Sequence, residues 1–286
     1  MKPNNPIYII SKGRWKSRLT VKVLEEMGAD YHIVVEQSEY DEYAKVIDPK
    51  KILILDEKYK DDYDTFADIG ITSSKGSGPA RNFVWDHAIS TGAKWHWILD
   101  DNIRFFTRYN NNKRYRVKTQ TMFRIMEDFV NRYENVGIAG PNYHFFIAEK
   151  SKSYPPFVAN TKVYSCLLIR NDLPIRWRGR YNEDVDICLR AMKLGYCTIQ
   201  FNVFLQQKMK TQQMKGGNEE IYSKGTLEKS QMLVRMHPDV AKVVWRYGRW
   251  HHEVDYRKFK KMKLIRKPDI KIKKGVDNYK MLLTER

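Results

Sequence analysis

Residues 94–103 read KWHWILDDNI, an apolar run that stops on two aspartates and an asparagine. Trp95, Trp97, Ile98 and Leu99 predict a buried strand, and Asp100, Asp101 and Asn102 predict its polar end. Just upstream, GPARNFVWDHAISTG (78–92) predicts a helix, with Pro79 in its first turn and Gly92 at its exit. The same alternation runs back to the start. PIYIISKG (6–13) is a strand, and WKSRLTVKVLEEMG (15–28) a helix with Leu19, Val23 and Leu24 in step and Gly28 as its stop. DYHIVVE (30–36) and KILILDE (51–57) are two more strands. Strands alternating with helices predict an α/β fold with a mostly parallel central sheet, in which ligands collect at the carboxyl ends of the strands. Asp100-Asp101-Asn102 stands at such an end.

Beyond Asp101 the reading is less regular. RYNNNKRYRVK (108–118) is expected to be a polar, basic loop and residues 121–137 an amphipathic helix. VGIAG (136–140), KVYSCLLIRN (162–171) and CTIQFNVF (197–204) suit strands, and EDVDICLRAMKLGY (183–196) a helix with Val185, Cys188, Leu189 and Met192 on its apolar face. KTQQMKGGNEE (210–220) has a loop composition, and residues 227–248 look helical up to a break near Pro238. With no clear linker, a single domain is expected over residues 1–210, its halves 1–102 and 103–210. A basic, partly helical C-terminal extension over 211–286 follows.

Composition narrows the class. Seven Trp, 18 Tyr and 12 Phe in 286 residues exclude a disordered chain. No apolar run reaches a membrane span, the N-terminal segment has no secretory apolar region, and Cys166, Cys188 and Cys197 form no paired framework, so a cytoplasmic location is expected. The net charge of +18 is unevenly spread. Residues 1–100 hold 14 Lys and Arg against 16 Asp and Glu; residues 101–286 hold 38 against 18. Such a basic remainder favours a polyanion such as nucleic acid, or an anionic membrane surface, over a charge set by solubility alone.

Three constellations suit chemistry. Asp100, Asp101 and Asn102 are hard ligands fit for Mg²⁺ or Mn²⁺ carrying phosphate oxygens, although the same residues commonly form turns. Asn182-Glu183-Asp184-Val185-Asp186 opens a helix; acids there favour the helix dipole, and one of them could equally be a general base. In GSGPARN (76–82) glycines precede a helix carrying Arg81, a combination suited to phosphate.

Their order along roughly residues 5–205 resembles the GT-A class of glycosyltransferases, a Rossmann-like α/β fold. More narrowly, IYIISKGRW, WILDDNI, RYNEDVDICLRAMKLGY, KGGN and HPDVAKVVWRYGRWHHEVDY resemble the bacteriophage glycosyltransferases associated with TET/JBP-type pyrimidine hydroxylases. This chain departs from a plain Asp-x-Asp motif, since its third position is Asn102.

The resemblance implies metal-dependent, inverting transfer from a nucleotide-sugar, taken as a UDP-sugar, to a 5-hydroxymethylpyrimidine in single- or double-stranded DNA. No membrane and no protein partner are implied. Ser11, Lys12 and Arg14 are expected to border the nucleotide, Glu36 to meet its base and Arg81 its diphosphate. Asp100 is expected at the ribose or metal, and Asp101 and Asn102 at the Mn²⁺ or Mg²⁺. His252 and His251, with His237 third, compete to complete the metal site. Asp184 is the expected base, with Glu183 orienting it or contacting the sugar, and Gly216-Gly217-Asn218 a closing loop.

For the acceptor DNA, arginines interleaved with aromatics suggest base stacking beside phosphate contacts: Arg176, Trp177, Arg178, Arg180 and Tyr181. Residues 256–274 hold ten Lys and Arg against Asp269 alone, and Lys260, Lys261 and Lys263 are expected to grip the backbone. Rival readings are a transferase acting on a glycan, lipid or protein, a nucleotidyltransferase, and a non-enzymatic basic DNA-binding protein.

Overall fold

The computed structural model describes residues 1–66, 75–149, 154–209 and 227–270. The first half is a parallel layer. Strands β1 (Ile7–Ile10), β2 (His32–Val35) and β3 (Ile52–Ile54) lie side by side, linked by helices α1 (Leu19–Glu26) and α2 (Tyr40–Ala44). The short α3 (Lys58–Asp61) and α4 (Gly78–Ser90) lead to β4 (Trp95–Asp100), which pairs in parallel with β1 so that Ile10 faces Asp100. Ile7, Ile9, Ile98 and Leu99 are fully buried, and each such side chain contributes about 1.5–3 kcal/mol.

The second half is mixed. After β5 (Ile103–Asn110), β6 (Lys113–Val117) and α5 (Thr121–Val130) come β7 (Val136–Tyr143), β8 (Phe157–Ala159) and β9 (Cys166–Arg170). Helix α6 (Glu183–Lys193) and the long β10 (Cys197–Lys208) complete it. The sheet order is β3-β2-β1-β4-β9-β7-β10-β5-β6, with β8 on β10. Here β7 and β10 are parallel, while β9 runs against both β4 and β7. The expected basic loop at 108–118 is instead the β5–β6 hairpin, closed by Asn111 and Asn112 at φ 48° and 58°. Asparagine tolerates that left-handed turn, so a polar sequence makes a tight hairpin.

Residues 227–270 pack back on α6. Helix α7 (Leu227–Met236) sends Leu233 to Val185, Leu189 and Met192, together with Val240 and Phe259. The helix ends before Pro238 as expected, but the chain then forms a hairpin of β11 (Ala241–Arg246) and β12 (Arg249–Val254). No helix among the described residues is long and apolar enough to cross a membrane.

Candidate active site

The carboxyl ends of β1 and β4 and the start of α6 open on one cavity of about 1000 Å³. Twelve of the residues expected to serve catalysis, donor or metal line it: Ser11, Lys12, Arg14, Glu36, Arg81, Asp100, Asp101, Asn102, Glu183, Asp184, His251 and His252; His237, the third histidine candidate, does not. None of the eight expected at the nucleic acid does.

Thr20 of α1 fixes the acidic turn. Its hydroxyl donates to the carbonyl of Asp100 (2.6 Å) and accepts from the amide of Ile103 (2.9 Å). Strand alternation therefore stops at Asp100, and Asp101-Asn102 form a turn into β5. Both oxygens of Asp101 are occupied: Oδ2 accepts from Ser11 Oγ at 2.8 Å, and Oδ1 accepts from Arg14. Asp101 thus tethers the β1 loop, and each of its oxygens keeps a further lone pair.

Arg81 occupies the floor. It is only 2% exposed, too deep for the expected diphosphate contact. Its Nη1 donates to Asp184 Oδ1 (2.9 Å), its Nη2 to Asp100 Oδ1 (3.0 Å), and its Nε to Ser77 Oγ (3.1 Å). Ser77 Oγ in turn donates to Glu183 Oε1 (3.0 Å), 3.7 Å from Arg81 Nη2. One buried guanidinium thereby ties the end of β4 to the start of α6. Gly78 makes room at the entry of α4: a Cβ there would lie 1.8 Å from the hydroxyl of Tyr63, itself held by the carbonyl of Gly179 at 2.7 Å.

Electrostatics separates the carboxylates. Burial opposes charge on Asp100, but Lys208 and Arg81 outweigh it and hold this carboxyl below its ordinary value. For Asp184 burial wins over Arg81, Glu183 and Asp100 add repulsion, and the carboxyl is pushed up to about 6. That is a value suited to a base near neutral pH. Its Oδ2 accepts from the amide of Ser165 (3.1 Å), and each oxygen keeps a further lone pair. Glu36 is disfavoured by burial, yet its bonds to Lys12 (2.9 Å) and Lys60 (3.3 Å) keep it below its ordinary value, as an ionised acceptor.

Asn182 precedes α6 at φ 55° but caps it by position only; its side chain donates to the carbonyl of Lys229 (2.7 Å). Asp186 points the other way into a buried ion cluster, bonded to His237 Nε2 (2.8 Å) and Arg178 (3.1 Å). His237 is thereby removed from the metal candidates.

Donor atoms of the kind that bind a divalent ion line the cavity. Asn102 Oδ1 is buried and has no hydrogen-bond partner. Burial, helped by Lys229 and Lys162, lowers His252 to about 4, leaving the neutral imidazole that binds metals. Nε2 of His251 accepts from Arg249 (3.3 Å). Among the described residues no group of three or more His, Cys, Asp or Glu could hold a metal. One amide oxygen and one imidazole suit an ion whose remaining ligands are phosphate oxygens and water.

The sequence reading missed a cationic wall. Lys162, Lys208, Lys229 and Arg249, all from the basic remainder, also line the cavity. Lys208 Nζ donates to Asp100 Oδ2 (3.0 Å) and Ser165 Oγ (2.7 Å). Burial pushes the ammonium groups of Lys162 and Lys229 down. In all, nine Lys and Arg face seven Asp and Glu, a balance that favours an anionic ligand.

The arginine–aromatic cluster is largely internal. Trp177 (2% exposed) lies under Arg81, its ring 4.5 Å from the guanidinium, while Tyr181 (2%) and Arg180 (3%) are buried. These three cannot stack on or grip DNA, because the core uses their surfaces. Arg178 is spent on Asp186, and Arg176 lies over Trp85 and meets Asp86 at 3.4 Å. By contrast Lys260, Lys261 and Lys263 are exposed. Their backbone is anchored by Asn160, which donates to the carbonyls of Phe259 (3.0 Å) and Met262 (2.8 Å). Gly216-Gly217-Asn218 and residues 271–286 lie outside the described residues.

A family model described as TET-Associated Glycosyltransferase matches residues 5–217, about three quarters of the chain. No curated protein matches it.

Proposed function

Since the chain belongs to the TET-associated glycosyltransferase family and is a glycosyltransferase, we propose that it moves a sugar, with inversion, from a nucleotide-sugar to the hydroxymethyl group of a 5-hydroxymethylpyrimidine in DNA. The observation that carries this reading is the Arg81 node, which holds Asp184, raised to about 6, beside Asp100 at the floor of a cationic cavity. Asp184 takes the proton of the acceptor hydroxyl as its oxygen attacks the anomeric carbon. The bond from that carbon to the diphosphate breaks, and Lys208, Lys229 and Lys162 face the departing negative charge. Glu36 accepts a hydrogen bond from the base, taken as uracil, and Glu183 meets a sugar hydroxyl. A divalent ion held by Asn102 and His252 would supply further neutralisation of the leaving group.

Anomeric configuration tests the mechanism. Proton NMR of the product is expected to show the configuration opposite to that of the donor, and retention would remove Asp184 from the role of simple base. The DNA acceptor is favoured by the excess of 38 basic over 18 acidic residues beyond residue 100. Lys260, Lys261 and Lys263 are assigned to the phosphate backbone. Neutralising all three is expected to weaken binding to any DNA sequence and to make the log–log salt slope shallower by about 0.9 for each phosphate no longer neutralised. An unchanged slope in a salt titration would move the backbone grip elsewhere.

A further inference from the structure

The tip of the β11–β12 hairpin is built against its own stability. Arg246 pairs with Arg249, so Tyr247 and Gly248 form a two-residue turn at φ 52° and 72°. A tight hairpin requires that conformation, which Asn, Asp or Gly normally supplies; a tyrosine there is strained. Its ring recovers little by packing, being 93% exposed. Trp245 and Trp250 meet edge to face at 5.0 Å, yet are 58% and 39% exposed. Arg246 and Arg249 stand directly opposite, a repulsive cross-strand pair. Glu253 is shared between Arg246 (2.6 Å) and Lys242 (3.0 Å), so the tip stays positive. The cross-strand contact of Trp245 with Trp250 helps to hold the hairpin, but hairpin stability does not account for their exposure, the strained Tyr247 or the opposed arginines; a partner does.

The tip is continuous with the cavity, because Arg249, His251 and His252 of the same hairpin line it. It also lies beyond the matched segment, which ends at residue 217. Exposed aromatic rings set among arginines form a stacking platform with phosphate contacts, the chemistry of unstacked polynucleotide. A base that reacts inside a duplex must leave the stack, and inserted side chains commonly support the distorted step. A second copy of a chain of charge +18 meets repulsion instead.

Resting on the reading of a DNA acceptor, we propose that this hairpin tip holds the strand that presents the acceptor base. Trp245, Tyr247 and Trp250 stack on bases flanking the one in the cavity, and Arg246 and Arg249 meet its phosphates.

Fluorescence anisotropy of the full chain with a labelled single strand, and with a duplex carrying a central mismatch, tests this. The variants are Trp245→Ala/Trp250→Ala and Tyr247→Asn. Asparagine suits the turn better than tyrosine, so Tyr247→Asn keeps the hairpin folded, and thermal melting verifies it. The expected results are a loss of affinity on the order of tenfold or more in the double variant and a severalfold loss in Tyr247→Asn. Calorimetric affinity for the nucleotide-sugar is expected to stay unchanged. Wild-type affinity in both folded variants overturns the proposal while leaving the DNA reading intact. Failure of the wild type to bind either oligonucleotide overturns both. A hairpin-dependent dimer in sedimentation, with DNA affinity untouched, replaces the strand by a second copy.

Discussion

Asp184→Asn is expected to lower the rate of sugar transfer by about 10³-fold, within the range that a positioned general base supplies. Donor KM and DNA affinity are expected to stay within a few-fold. The substitution keeps the shape of the side chain and its acceptor toward either Arg81 or Ser165, which now meet Oδ1 and Oδ2 at 2.9 and 3.1 Å. The amide nitrogen then faces a donor, at a cost of about 1–3 kcal/mol, so a melting curve accompanies the kinetics. The pH profile gives a second readout. Asp184 acts as a base only when ionised, and burial raises its carboxyl to about 6. The wild-type kcat is therefore expected to climb about tenfold per pH unit below that value and to level off above it. The residual rate of the variant should lack that limb. Full activity in Asp184→Asn would contradict the assignment, and full DNA affinity without transfer would separate enzyme from mere binding protein.

Arg81→Met is expected to damage stability as well as activity. The side chain it removes is 2% exposed and neutralises Asp184, Asp100 and Glu183 together. Leaving buried carboxylates without their cation costs about 3–5 kcal/mol, which for a domain of this size is a fall in Tm of about 10 °C. Transfer should be lost with it, because repulsion among the three acids pushes Asp184 further up and moves α6 from the end of β4. Arg81→Lys is expected to fall between, since an ammonium cannot reproduce a forked guanidinium on three partners. Differential scanning calorimetry checks both. A Tm within about 2 °C of wild type in Arg81→Met would show that the node carries little.

The cavity was legible because its chemistry sits at the ends of strongly patterned elements. Isoleucines before Ser11 and the run WHWIL before Asp100 mark their strands without ambiguity, and Pro79 and Gly92 bracket α4. Sequence spacing could not say which partner each charge takes. Arg81 stands 19 residues from Asp100 and 103 from Asp184, so its burial beneath both is a tertiary fact. Lys208 escaped because the strand reading stopped at Phe204, whereas β10 continues through Leu205-Gln206-Gln207 to Lys208. The cluster from Arg176 to Tyr181 misled for a related reason. Arginine and aromatic side chains make a nucleic-acid surface when exposed, and a cation–ring core contact when Trp177 lies under Arg81. The β11–β12 hairpin was hidden by its Tyr247-Gly248 turn, where Asn-Gly would have been a recognisable signal.

Transfer itself is the most direct test. DNA containing 5-hydroxymethylcytosine or 5-hydroxymethyluracil is incubated with the protein, a panel of nucleotide-sugars and Mn²⁺, then digested for nucleoside mass spectrometry. The predicted result is a gain of one sugar mass on the hydroxymethylated nucleoside with a single donor. Neither unmodified DNA nor the Asp184→Asn variant should show it. Unchanged nucleoside masses across the whole panel, with sugar appearing instead on a glycan or protein acceptor, would contradict the account.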